Sequence, residues 1–233
     1  MLCLSAYFIF TSCDKDDENQ GGSSISKIEV SINNNDLDDD ITEVRAVLDE
    51  SNGYVIASCE YINGKFILDL PPTVEEKYLY PFSTEEMEED FPVEIKISDP
   101  NAKTTSIMIM SYDESDNHLG YFHYEKYINN DDIYTETETE VVYADRNVSL
   151  TGSFSVTEEG VTVSCKVSAH LKKGWNYVYM TFSETEKSLS LEMTTTEPSG
   201  MKWEYYSKYT YKSAQVKSAD FDKKFKSLQM FKK

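Results

Sequence analysis

Carboxylates are the most abundant chemically able groups in this chain, which carries 42 Asp and Glu against 22 Lys and Arg. Three clusters, at residues 35–40, 113–117 and 129–132, mix Asp with Asn in the manner of oxygen-rich cation loops. None fits the EF-hand. Counting from Asp36, the sixth position is Ile41 where the loop needs Gly, and the twelfth is Val47 where it needs Glu. They read as turns and solvated faces, because Asp and Asn are default turn formers. His123 and Glu125 share a strand face with Tyr121 and Tyr127 and offer two metal ligands. A site needs a third or fourth ligand, and His118 and His170 have no spacing that supplies one, so no metal and no cofactor are expected. Thr135 to Glu140 alternates Thr with Glu and sends three carboxylates to one face, which reads as a charged edge guarded against pairing. There is no G-x-S-x-G nucleophile elbow, and neither Cys59 nor Cys165 has a His in a nucleophile-activating arrangement. Carboxylates are too numerous to single out a glycosidase pair. No catalytic residue is assigned, and a carboxylate-based hydrolase remains the minor alternative.

The second chemical excess is aromatic: 17 Tyr, 11 Phe and 2 Trp. Trp175, Tyr177 and Tyr179 alternate with Val178, Met180 and Phe182, so they fall on the opposite strand face. Trp203 and Tyr205 add a second short stripe. Turned to solvent, these five residues would stack on sugar rings or hold a protein partner. Buried on both faces, the same strand would simply be core.

The elements that must position these groups are strands. Val161 to Leu171 alternates apolar and polar residues over its full length. Lys172-Lys173-Gly174 then predicts a tight turn, and Trp175 to Ser183 a returning strand, so the pair reads as a hairpin. Strand patterns recur at 27–32, 42–48, 54–62, 65–70, 106–112, 119–127, 134–144, 148–156, 189–195 and 202–206, separated by turns rich in Asn, Asp and Gly. Such spacing suggests a β-sandwich. Residues 84–90 suit one helical turn. A C-terminal helix is predicted over 218–233, with Phe221, Phe225 and Leu228 on one face, Asp220 and Asp222 at its start and Lys at its end.

Charge divides the chain. Residues 207–233 carry +6 and residues 14–206 carry −26. The acidic balance disfavours nucleic acid as a partner. The basic tail has two readings, docking on the acidic body or contact with anionic lipid. Cys59 and Cys165 are expected to be buried free thiols, although an oxidising compartment would permit them to pair.

The N-terminus places the protein in a cell. An apolar run from Leu2 to Phe10 is too short to cross a bilayer, which needs about 20 residues. It is followed by Thr11-Ser12-Cys13 and resembles a bacterial lipoprotein signal, in which cleavage precedes a cysteine that then carries lipid. That resemblance implies lipidation at Cys13 and a membrane partner through the lipid. Asp14-Lys15-Asp16-Asp17-Glu18, ahead of the tether Asn19 to Ser24, resembles the surface-export signal of Bacteroidetes lipoproteins and implies an outer-membrane, surface-exposed protein.

Glu43 to Val47, Val55 to Ser58 and Asn63-Gly64-Lys65-Phe66-Ile67-Leu68-Asp69-Leu70-Pro71 resemble transthyretin-like or carboxypeptidase-regulatory-like modules. Residues 143–152 and 171–176 are similar to segments of uncharacterised Bacteroidetes lipoproteins. The resemblance implies a seven-strand sandwich in a secreted setting, without catalytic residues to carry over.

The fold class expected is all-β, as one or two antiparallel β-sandwich domains with a short basic C-terminal helix. Residues 1–12 are the signal, 13–24 the lipidated Cys and tether, 25–145 a transthyretin-like sandwich, 146–206 a second β-domain or a continuation of the first, and 207–233 the basic tail. The function expected is a non-enzymatic binding module for an extracellular glycan or protein ligand, with a glycan or an envelope protein as the candidate partner. A structural subunit of a surface appendage or envelope complex is the alternative.

Overall fold

A computed structural model describes residues 24–32, 40–48, 53–82, 94–130, 132–158 and 160–208. The expected lipoprotein signal, Cys13, the tether up to residue 23, the segment at 84–90 and the predicted C-terminal helix lie outside the described residues.

The described chain is all-β. Strands run in the order β1 (Lys27–Ser31), β2 (Glu43–Val47), β3 (Val55–Glu60), β4 (Lys65–Asp69), β5 (Tyr80–Pro81), β6 (Lys96–Ile97), β7 (Lys103–Tyr112), β8 (His118–Asn129), β9 (Ile133–Ala144), β10 (Val148–Glu158), β11 (Val161–Leu171), β12 (Gly174–Thr185), β13 (Ser188–Thr194) and β14 (Lys202–Ser207). Glu76–Tyr78 forms one turn of 3-10 helix between β4 and β5. Twelve strands make one sheet, in the order β3-β2-β7-β8-β9-β12-β13-β11-β10-β6, with β14 added on β8 and β5 on β7. Strands from both sides of Asp145 lie in this one sheet. Asp145 is itself tied in, since its carboxylate accepts the Lys103 N–H at 2.8 Å and its own N–H donates to the Lys103 carbonyl.

β1 and β4 pair with each other as a second, two-stranded sheet. Both read exposed-buried-exposed-buried-exposed, the alternation of a strand with one wet face. Their inward residues Ile28, Val30, Phe66 and Leu68 pack on Val44, Ala46, Ile107, Ile109 and Trp175 of the large sheet. The other face of the large sheet carries a separate apolar cluster built from Val142, Val163, Cys165, Val167, Val178 and Leu191, among others. Strands as distant in the order as β9 and β10 share that cluster, so the sheet is curved around it. β9 and β12 are thus covered on both faces at one end. Val141 to Ala144 are buried four in a row, and the period-two pattern vanishes there.

Two expectations are corrected. β11 and β12 do not pair as a hairpin: β13 lies between them, antiparallel to β12 and parallel to β11 from Thr162↔Ser188 to Ser168↔Thr194. The architecture is therefore mixed rather than wholly antiparallel. Asn176, buried at 1 % exposure, fills the turn at 172–174. Asn176 donates to the carbonyls of Lys172 and Gly174, both at 2.8 Å, and accepts the Lys172 N–H at 2.9 Å. The Thr-Glu alternation of β9 is no edge either, since β9 is bonded to β12 on one side and to β7 and β8 on the other.

Candidate functional site

The ladder between β7, β8 and β9 forks. β7 pairs with β9 from Thr104 to Ile107, then with β8 from Met110 to Tyr112. β8 in turn leaves β7 at Tyr121 and joins β9 at Lys126. Between the two junctions, Met108–Ile109, Phe122–Glu125 and Glu138–Glu140 have no partner in these ladders, and a cleft of about 330 Å³ opens among them. The cleft reaches both faces of the sheet. Tyr124, Thr139 and Trp203 border one side, and His123, Glu138 and Glu140 the other.

The acidic side is electrostatically crowded. Burial, and after it Glu136, Glu125 and Glu140, pushes the Glu138 carboxyl up to about 7. Burial also raises Glu140. Glu140 retains an exposed surface because the cleft opens beside it, and the resulting hydration limits that rise. Glu125 is raised by burial, against a hydrogen bond from the Tyr206 hydroxyl that favours its charged form. Burial drives His123 down to about 4, so the imidazole is neutral at pH 7. Among the described residues, no three His, Cys, Asp or Glu are arranged to hold a metal ion. At Asp113 the carboxylate accepts the N–H groups of Ser115 and Asn117 and closes its own turn.

The aromatic side is a cluster seated on β8, β12 and β14. Trp203 stacks on Tyr124 at 5.1 Å between ring centroids, and Tyr177 stands 6.0 Å from Tyr124. The Tyr124 hydroxyl donates to Glu197 at 2.7 Å, and burial together with that carboxylate pushes its pKa up to about 12. Tyr205 packs on Phe122 at 5.1 Å, beneath the cluster. β14 approaches β8 closely at Gly120, where a side chain would run into the Tyr206 carbonyl and the Tyr205 hydroxyl.

The five aromatic residues singled out from sequence therefore separate. Trp175, at 1 % exposure, and Tyr179, at 2 %, are core, so the solvent-facing stripe on β12 does not exist. Trp175 lies under the β1–β4 sheet, donates from Nε1 to the Pro71 carbonyl at 2.8 Å and meets Tyr143 edge-on. Tyr177, Trp203 and Tyr205 are half-buried, and of these Trp203 borders the cleft. Tyr124, Glu138 and Glu140 also line the cleft, and the sequence does not single them out as site residues. Their signal was weak: Tyr124 lies on the strand face opposite His123, and the Glu ladder looked like a solvated edge.

A second cavity, of about 420 Å³, adjoins the cleft, and the two share Leu48, Ser106 and Glu140. Its remaining wall is mostly apolar and includes Val142, Leu150, Val167, Leu171, Val178 and Met193. Both thiols are free, with Cys165 buried on β11 and Cys59 half-buried on β3. Comparison with known proteins found no matching family model, no similar curated protein and no similar solved structure.

Proposed function

We propose that this is a lipid-anchored, surface-facing envelope lipoprotein whose β-body is a non-enzymatic binding module for an extracellular glycan, held in the fork between β7, β8 and β9. One observation carries the reading. A cleft bordered on one side by the stacked Tyr124–Trp203 pair holds carboxyl groups and a neutral imidazole on the other. Sugar rings have apolar faces that suit aromatic side chains and hydroxyls that suit carboxyl and imidazole groups. A carboxyl titrating near neutrality both donates and accepts hydrogen bonds. Tyr177 and Tyr205 back the aromatic pair, while Trp175 and Tyr179 hold the strand beneath it.

The test is a glycan array with the purified full chain, followed by titration calorimetry on the best ligand. Trp203→Ala is expected to weaken binding at least tenfold. Unchanged affinity for every glycan after this substitution refutes the site. The anchor is tested separately: incorporation of labelled palmitate in cells should disappear with Cys13→Ala, and its persistence would refute lipidation there.

One feature favours a second reading, as a carboxylate-based glycoside hydrolase. Glu138 and Glu140 stand on one strand face two residues apart, with Cα atoms that the strand rise places roughly 7 Å apart. That lies within the roughly 5–9.5 Å separation of glycosidase carboxyl pairs, and Glu138 has the raised pKa of a proton donor. Release of reducing ends from the bound glycan, lost in Glu138→Gln, would establish this reading over simple binding.

A further inference from the structure

We infer that the apolar cavity next to the fork is a second binding site, for a ligand with a single aliphatic chain ending in an ammonium group, the chain inside the cavity and the charge at Glu140. The inference does not rest on the glycan reading: the two sites share Glu140, but the wall that takes the chain lies beyond the aromatic pair.

The lining defines the chain. Val142, Leu150, Val167, Leu171 and Val178 are buried wall residues from four different strands, all on the curved face. A cavity of about 420 Å³ lies within the size range of ligand sites, roughly 300–1,000 Å³. Water entering such a wall would find few of the two to four polar partners it needs. An aliphatic chain lying there would displace that water and bury the apolar wall.

The polar end defines the head. Where the cavity meets the fork, the shared residues are Leu48, Ser106 and Glu140, and Ser106 and Glu140 are exposed to entering ligand. Among the described residues, Glu140 is the only carboxyl group lining the apolar cavity, and Glu138 lies just beyond it in the fork. No Lys or Arg borders either cavity among the described residues. A carboxylate-headed chain would meet like charge without compensation, whereas an ammonium finds an acceptor and an opposite charge.

The test is titration calorimetry of the full chain with dodecylammonium, dodecanoate and ethylammonium below their micelle concentrations. One dodecylammonium per chain is expected, at least tenfold tighter than either comparator. Because the protein carries −20 overall, cationic amphiphiles also bind its surface without a site. Ser106→Trp separates the two cases. It leaves the net charge unchanged, sits at an exposed strand position that accepts a large aromatic side chain, and obstructs the junction. Site binding should fall at least tenfold in Ser106→Trp, whose fold is checked by its melting curve, and Glu140→Gln should narrow the preference over dodecanoate. Trp203→Ala should leave amine affinity within about twofold, which keeps the outcome separate from that of the glycan site. Equal binding to native protein and Ser106→Trp, equal affinity for dodecanoate, or no saturable binding would each overturn the inference.

Discussion

Replacing Gly120 with Ala tests whether β14 is held by geometry that only glycine permits. A Cβ at this position would stand 2.7 Å from the Tyr205 hydroxyl oxygen and closer still to the Tyr206 carbonyl oxygen. A tyrosine hydroxyl can swing away, but a backbone carbonyl in a ladder cannot move without its strand. The six-residue register from Lys202↔Glu125 to Ser207↔Gly120 must therefore shift or open. Overpacking of this kind costs about 1–3 kcal/mol where the surroundings absorb it. The ceiling is the cost of releasing β14, chiefly the re-exposure of half-buried Trp203 and Tyr205, about 4 kcal/mol at about 25 cal/mol per Å². We expect a loss near 3 kcal/mol, or a melting temperature about 6–12 °C lower for a chain of this size. Acrylamide quenching gives a local readout, because the two tryptophans report different places. Trp203 should become accessible while Trp175, sealed under β1 and β4, stays protected. Unchanged quenching and unchanged stability would refute the claim that close approach at Gly120 seats β14 and, with it, the aromatic side of the cleft.

Three further predictions concern buried polar groups. Glu138 has a pKa raised from 4.5 to about 7 by burial and by Glu136, Glu125 and Glu140. The folded state therefore holds a proton that the unfolded state has released, and stability falls as pH rises from 4.5 through 7. The full shift corresponds to at most about 3 kcal/mol, reduced to about 1–2 by the open cleft. Glu138→Gln should thus be more stable than the native chain at pH 8 and similar to it at pH 4.5 in urea melts, and a variant no more stable at pH 8 would contradict the cause assigned. Asn176→Ala removes three hydrogen bonds from a buried turn and should cost about 3 kcal/mol by the same assay. Burial pushes both the Cys59 and Cys165 thiols up to about 11, so neither should label quickly at pH 7. Peptide mapping should find Cys59 modified first, and Cys165 only when the whole fold opens.

Strand positions were readable from alternation, whereas strand partners were not. β11 has the cleanest pattern in the chain, and its boundaries agree with the structure. Alternation reports which face of a strand is dry; it does not say what lies beside it, so the insertion of β13 left no trace at the 172–174 turn. Tyr80–Pro81 and Lys96–Ile97 are two-residue strands, too short to show any period. Trp175 misled because period two separates two faces without saying that both are covered. The three Glu of β9 misled for the opposite reason: a polar face in mid-sheet looks like an edge until the fork between β7 and β8 is known. That fork arises from three strands exchanging partners far apart in sequence, which no local window reports. The close approach at Gly120 was hidden in the same way, within a strand pattern that named the residues around it.

The parallel join of β11 to β13 bears on how this chain reaches its native state. β10 with β11 and β12 with β13 are each local hairpins, whereas the join between them links residues 26 positions apart, as in the Lys166–Glu192 ion pair. Loop closure must precede that pairing, so we expect the two hairpins to form first and the join to close later. Until it closes, β11 and β13 each present an open row of amides and carbonyls that another copy of the chain could capture. Native-state hydrogen exchange would show this as a sub-global opening, with the amides bonded across the join exchanging before those inside either hairpin. Simultaneous exchange of all three sets would mean that the sheet opens as one cooperative unit.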